Sequence, residues 1–409
     1  MQKRKLAAIA FAGLLASQSW ATNGDNLIGI GPVDRALGGT GIAAPQDSLT
    51  AIFGNPAGMS FCPCGEGSEA IFAGSIFAPT VNARIGTRMG TYSGESQHDP
   101  FLIPAMGVTM PVNESMRFGV GAYGISGLGV DYRNMGWDLD GNPANGFEGD
   151  LYSRLEVMKF APMLAYKVND TLSVGGSLQA SYNNLDLGSG GSHTYAYGVQ
   201  LGILYVAGSF HFGASYTSPE KADFENVFNF DSFTGDTQLD DLTLEAPATY
   251  AAGVAYTINE ALMVEVDAKF LNWADAEGYK DFDWDDQWVI GLGIQYKASE
   301  KWVLRAGYNY AENPVKEHDG FDPMGVSSIQ GTAVPTLGYE LFRVVGFPAV
   351  VESHLTLGAG YQVTEDFSIS LAYVHAFENT ISQSSAGDIF KLETDLSEDI
   401  YTLGMAWAF

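Results

Sequence analysis

The chain has 409 residues and carries 20 Lys and Arg against 48 Asp and Glu, a formal charge of −28. That balance excludes nucleic acid as a partner, because its recognition requires clustered basic side chains. Aromatic residues make up 12% of the chain and are spread along it, so the acidity is not that of a disordered tail. Length alone suggests two or three soluble domains. No linker, low-complexity block or shift of composition divides the sequence, however, and it reads as one large β unit.

The first 21 residues read as an export signal. Lys3, Arg4 and Lys5 precede an apolar run from Leu6 to Ala16, and Ser19 and Ala21 supply the small residues that a signal peptidase needs. The apolar run is too short to span a bilayer as a helix, and no later stretch reaches 18 apolar residues without charge or frequent Gly. Export implies an oxidising compartment. The only cysteines, Cys62 and Cys64, flank Pro63. A local disulfide, free thiols and a metal or redox role all remain open for them, although two sulfurs alone make a poor zinc site.

From Thr22 to about Phe61 the chain is Gly-rich and lacks two-residue alternation. From about Ser68 the character changes. Fourteen alternating segments follow, from 68–83 to 397–409. In the last, Tyr401, Leu403, Met405, Trp407 and Phe409 alternate with Thr402, Gly404, Ala406 and Ala408. The contrast is large apolar against small, with aromatics at the segment ends, which fits lipid outside and a lumen inside. Short turns such as Asn113-Glu114, Asn169-Asp170, Asn259-Glu260, Ser299-Glu300 and Glu365-Asp366 alternate with long loops such as 131–150, 219–241, 313–349 and 381–396. This pattern predicts an all-β fold, a 14-stranded antiparallel transmembrane barrel of a Gram-negative outer membrane with both termini periplasmic. A closed barrel also leaves no edge strand for lipid to desolvate. A soluble sandwich or propeller explains neither the loop alternation nor the terminal Phe409, which resembles the signal read by the outer-membrane barrel assembly machinery.

The N-terminal segment carries Ala36-Leu37-Gly38-Gly39-Thr40-Gly41-Ile42-Ala43, then Asp47-Ser48, then Asn55-Pro56-Ala57-Gly58-Met59. Further on come Pro162 to Lys167, Tyr216-Thr217-Ser218-Pro219, Leu304 to Tyr308 with Pro314, and Pro348 to Tyr361 including His354. In this order, over nearly the whole exported chain, these pieces resemble the FadL/TodX family of outer-membrane channels for hydrophobic substrates. The resemblance implies a hatch over 22–61, shaped by Asn55, Pro56, Ala57 and Gly58, that plugs a barrel over 62–409. A plug also answers a physical need, since fourteen strands enclose more space than their own side chains fill.

The third segment contains Gly119, Gly121, Gly124, Gly127 and Gly129. Such density weakens a strand and marks a bulge or kink. In the resembled family a kink here opens the barrel wall near residues 118–129 for sideways release. Close packing against the hatch would also favour glycine.

Strand parity turns Leu262, Val264, Val266 and Phe270 to lipid, which sends Glu265, Asp267 and Lys269 inward. The same reasoning turns Arg305 and Lys159 inward. Family members that carry fatty acids hold the carboxylate with inward basic residues, so Lys159, Lys269 and Arg305 are the candidate carboxylate ligands. Salt bridges to Glu265, Asp267 or the hatch are the competing role. Asp138-Leu139-Asp140-Gly141-Asn142 resembles the start of a calcium loop, but Pro143 stands where Gly is needed. Asp281, Asp283, Asp285 and Asp286 read as a solvated acidic rim. Neither an enzymatic constellation nor a metal or cofactor is expected.

The function expected is passive uptake of hydrophobic molecules, long-chain fatty acids first and aromatic or alkane hydrocarbons as the alternative. A structural or adhesive surface barrel is the rival outside transport. The expected partners are the hydrophobic ligand, outer-membrane lipid and lipopolysaccharide, and the assembly machinery. A wall that opens to lipid argues for a monomer.

Overall fold

A computed structural model describes residues 23–64, 67–98, 100–137, 151–230 and 234–409. The expected export signal and the calcium-like stretch after Asp138 lie outside these residues. Fourteen strands form one antiparallel barrel: β1 (Glu69–Thr87), β2 (Phe101–Asn113), β3 (Met116–Asp131), β4 (Tyr152–Asn169), β5 (Leu172–Asp186), β6 (Ser192–Ala207), β7 (Phe210–Thr217), β8 (Thr249–Asn259), β9 (Leu262–Leu271), β10 (Gln287–Lys297), β11 (Trp302–Ala311), β12 (Ser353–Gln362), β13 (Phe367–Ser384) and β14 (Phe390–Ala408). Each pairs with its neighbours in sequence. The ring closes through β14 on β1, in register from Glu69 opposite Ala408 to Thr87 opposite Phe390. A short extra strand, Gly90–Glu95, folds back on the upper part of β1.

Alternation along each strand separates two solvents. On β9, Val266 is exposed on the outer wall while Glu265 and Asp267 are buried inside. Aromatic pairs gird the outside near both rims, among them Phe210 with Tyr256 (centroids 4.5 Å apart), Trp302 with Tyr361 (4.7 Å) and Phe270 with Trp288 (5.1 Å). Rings with an apolar body and a polar edge suit a bilayer interface. The short connections share one device. The side-chain oxygens of Asn113, Asn169 and Asn259 each accept the amide two residues on, at 2.8–3.0 Å. This local turn needs no tertiary support. The end of the barrel that carries these turns is the turn rim, and the opposite end is the loop rim.

Two expected segments differ from the structure at the loop rim. The stretch 242–258 is not one strand. Asp240–Ala246 pairs with Glu220–Phe228 in a hairpin above the barrel, and β8 starts only at Thr249. Pro247 separates the two, because it has no amide to give to a ladder. Conversely, 381–396 is not a loop. β13 and β14 continue to Ser384 and from Phe390 as a tall ribbon, whose Ile381, Leu392 and Leu396 are buried.

They are buried against a cap. The hairpins at the loop rim, the 272–286 loop and the short helix Thr336–Leu341 with the residues after it pack Trp273, Tyr279, Phe282, Trp284, Val344 and Phe347 into one apolar core. Trp273 lies 4.6 Å from Tyr279 and 5.1 Å from Trp284, centroid to centroid. The mouth is therefore roofed by packed structure.

Residues 23–60 lie inside the ring of strands and are almost entirely buried. They form two short helices, Pro32–Ala36 and Ser48–Phe53, and a single tight turn of helix, Pro56–Ser60. Asp47 caps the second helix, its carboxylate accepting the Thr50 amide at 2.7 Å. Cys62 and Cys64 are joined by a disulfide just before the barrel begins.

Candidate binding site in the barrel lumen

The N-terminal segment is fastened to the wall by backbone hydrogen bonds to inward side chains, which suits a Gly-rich chain with few side chains of its own. On β9, Asp267 accepts the amides of Gly41 (2.8 Å) and Ile42 (3.0 Å), and Glu265 accepts those of Ala43 (2.8 Å) and Ala44 (2.9 Å). One step further, Lys269 donates to Gly39 O at 2.8 Å. Opposite, Thr356 donates to Ala36 O (3.0 Å) and Asn309 to Gly38 O (2.9 Å). Arg35 reaches Ser75 and Thr402. The wall is glycine where the segment touches it most closely. A methyl group at Gly213 or Gly307 would overlap the backbone of Ile42 or Gly38.

Asn55 to Gly58 has a structural task. Asn55 accepts the Ala57 amide at 3.1 Å and donates to Ile42 O (2.7 Å) and to Ile203 O on β6 (3.1 Å). Ser173 on β5 holds Ala57 O at 2.8 Å. One side chain thus ties the short helical turn, the Gly41–Ala44 run and the wall together.

Above this segment lies a chamber of about 110 Å3. Ile42, Phe53, Leu27 and Ile125 form an apolar side, and Gln179, Gln200, Ser215, Thr217, Lys159 and Lys269 a polar one. A smaller cavity of about 40 Å3, reaching up to Phe224, Leu244 and Tyr279, meets it at Lys159 and Glu220. These two form a buried ion pair, Nζ to Oε1 at 2.6 Å. Lys159 also donates to Gln179 at 2.9 Å, and the second Glu220 oxygen accepts from Ser181 at 2.9 Å.

The three basic candidates therefore part company. Lys159 and Lys269 line one chamber. Arg305 does not. It lies beneath the N-terminal segment near the turn rim, facing a cavity shared with Asp47 and Glu69, and donates to Gln295 at 2.7 Å. Parity predicts its inward direction, but its depth is set by its place three residues into β11. Sequence reasoning also passed over Glu220, Gln179 and Gln200. Gln179, Ser181 and Asn183 are buried on β5 while Leu178 and Tyr182 are exposed, so the same parity argument was open to them.

The earliest described residues run up the lumen to the cap. Gly24 lies against Trp273 and Trp284, and the Tyr279 hydroxyl donates to the Asp25 carboxylate. Burial pushes the Asp25 carboxyl up to about 6, with the Tyr279 hydrogen bond opposing it. The folded arrangement thus holds the proton more tightly than an extended chain would. Its stability is greatest below the ordinary carboxyl range and falls as pH rises through about 6. Asp25→Asn keeps the acceptor and removes the charge. Local opening at the Leu27 amide, followed by hydrogen exchange, should become harder by roughly 2–3 kcal/mol at alkaline pH and stay unchanged at acidic pH. An equal effect at both would contradict this.

Residues 14–192 and 191–320 match the family model described as outer membrane protein transport protein (OMPP1/FadL/TodX). The chain belongs to this family. It is a FadL/TodX-type outer-membrane β-barrel transporter for hydrophobic substrates. Among relatives, the long-chain fatty acid transport protein of Escherichia coli O6:H1 is 21% identical, with 98% of this chain and 96% of that protein covered. The crystal structure of the Pseudomonas putida toluene transporter TodX superposes with a TM-score of 0.67 at 19% identity, covering 95% of this chain and 100% of that one. A Pseudomonas aeruginosa FadL homologue gives 0.69 at 14% identity, covering 96% and 100%. At these identities the solved structures show a shared fold. The FadL/TodX barrel here carries its paired lysines in the lumen chamber and its third basic candidate outside it.

Proposed function

We propose that the protein takes up hydrophobic molecules by passive diffusion across the outer membrane, with residues 22–61 as a hatch, and releases them sideways into the bilayer beside β3. The turn rim and the C-terminal Phe409 then face the periplasm. The observation that carries the reading is the wall at β3. Its ladder with β2 ends at Tyr123 opposite Ala105, whereas β3 itself continues to Asp131. Its register with β4 shifts between Gly124 and Ser126. Beyond this bulge the free edge is met from the lumen side, where Leu27 N donates to Ile125 O at 3.1 Å and Asn26 bridges Ser126. Of the five glycines, Gly121 packs against Ile52 of the N-terminal segment, while Gly124 packs against Ile103 of β2 and Gly127 and Gly129 against β4. Only Gly121 of these thus packs against the N-terminal segment, and the register shift falls beside Gly124.

Burying about ten methylenes is worth roughly 8 kcal/mol, so capture from water needs no energy source. The polar side of the chamber supports a substrate with a head group, whether a fatty acid or an uncharged relative, ahead of bare hydrocarbons. Uptake of oleate and of toluene by cells lacking their own carrier tests the reading. Accumulation above an empty-vector control is expected, and Gly127→Phe, which fills the free edge, should bring it to background while the barrel stays folded. No accumulation of either compound would leave a structural or adhesive surface barrel as the better account.

A further inference from the structure

We propose that the lumen chamber is a binding site for an uncharged amphiphile, a molecule with a hydroxyl, ester or amide head on an apolar body, and that Glu220 sets this preference by keeping Lys159 paired. The inference rests on the reading of the protein as a carrier of hydrophobic molecules and adds the class of head group.

The two sides of the chamber differ in chemistry. A bare hydrocarbon would satisfy Leu27, Ile42 and Phe53 but would leave the amides and hydroxyls of Gln179, Gln200 and Thr217 facing apolar matter, and sites lined with buried polar groups reject ligands that cannot bond to them. The Gln179 amide has capacity to spare, since its nitrogen meets Gln200 only at 3.4 Å, whereas the Gln200 amide already donates to Phe53 O at 2.7 Å. The Tyr123 hydroxyl, on the residue paired with Lys159 across β3 and β4, is buried without a partner.

A carboxylate head meets the opposite difficulty. It needs a cation, and neither lysine of the chamber is free. Lys159 is bound to Glu220 at 2.6 Å with both side chains buried. A ligand that took Lys159 would strand Glu220 as a buried anion, held only by Ser181, and removing one partner of a buried pair is strongly unfavourable. Lys269 bonds Gly39 O and lies beside the Asp267 carboxylate, which is committed to two backbone amides of the N-terminal segment. Among the described residues the two chamber lysines are thus matched by Glu220 and Asp267. A carboxylate would bring a net negative charge into a buried space, whereas an alcohol or ester brings only the donors and acceptors that the polar side can use.

The experiment compares labelled 1-dodecanol, dodecane and laurate binding to the whole protein in lipid nanodiscs, above the carboxylate titration range, with protein-free nanodiscs as the partition blank. The expected order places dodecanol ahead of laurate by roughly tenfold or more, and ahead of dodecane. Glu220→Gln, nearly isosteric, frees the Lys159 charge and should raise laurate affinity roughly tenfold while changing dodecanol by less than about threefold. Laurate preferred by the wild type and lost in Lys159→Met overturns the inference, as does dodecane binding as tightly as dodecanol. The wild-type order decides the question even if a variant fails to fold. If no ligand binds above the blank, the transport reading itself fails and takes the inference with it.

Discussion

Deleting residues 22–61 should turn a barrel that passes little current into one with a large, steady ion conductance in planar bilayers. A closed ring of fourteen strands leaves a lumen that side chains alone do not fill, and here residues 23–60 occupy it. What holds them suggests a finer version of the experiment. Glu265 and Asp267 together accept four consecutive backbone amides, Gly41 to Ala44, in a fully buried setting. Hydrogen bonds to charged groups are worth about 1.5–3 kcal/mol each, and orphaned buried amides cost a similar amount. Glu265→Ala with Asp267→Ala should therefore tilt the balance against the closed state by about 5 kcal/mol, or three to four orders of magnitude in the open-to-closed ratio. Frequent channel openings are expected from the double variant, between the quiet wild type and the fully open deletion. Thr356→Ala removes one neutral bond, to Ala36 O, and should stay quiet. A deletion that conducts no better than the full chain would show that the segment is not what blocks the lumen.

The architecture was legible because two signals repeat along the whole barrel. Strand parity and the alternation of short and long connections are local properties, and each turn built on an Asn such as Asn169 closes without help from the rest of the chain. The N-terminal motif was legible only by resemblance. Its physical reason, a backbone held by inward carboxylates and admitted by inward glycines such as Gly213 and Gly307, needs two distant stretches brought together. Parity gave the direction of Lys159, Lys269 and Arg305 but not their depth, since depth depends on where each strand starts. It also gave no partner for Lys159, because Glu220 reaches it from a hairpin after β7. The cap was the least legible part. Its apolar residues look like interrupted strand ends in a linear sequence. Its acids look like a solvated rim, and Asp285 and Asp286 are exposed, but Asp283 and Asp285 also flank Lys316 at 2.8 and 3.0 Å, and Asp286 accepts the Ala274 amide at 3.1 Å.

Arg343→Met should unfasten that cap without opening the pore. The guanidinium is fully buried and ties the 272–286 loop to two separate points of the 313–349 loop. Its Nε donates to Phe282 O at 2.6 Å, one terminal nitrogen donates to Lys316 O at 2.7 Å, and the other donates to Glu340 at 2.7 Å. Glu340, itself buried, also lies 2.8 Å from the His318 ring and accepts from Gln383 at 2.8 Å. Methionine preserves most of the volume but leaves the Glu340 charge without its buried cation and two carbonyls without donors. Breaking a buried pair in this way costs about 3–5 kcal/mol. The loss should appear as rapid protease cleavage within 313–349 and as a lower melting temperature for the loop region. Conductance should stay low, because the segment that fills the lumen is anchored mainly on the barrel wall. The double replacement Arg343→Met with Glu340→Met separates charge from packing. If the cost is that of a stranded carboxylate, the second substitution restores much of the stability, and if it is lost packing, the two penalties add. Additive penalties would mean that the cap is held by its aromatic core around Trp273 and Tyr279, with the ion pair contributing little.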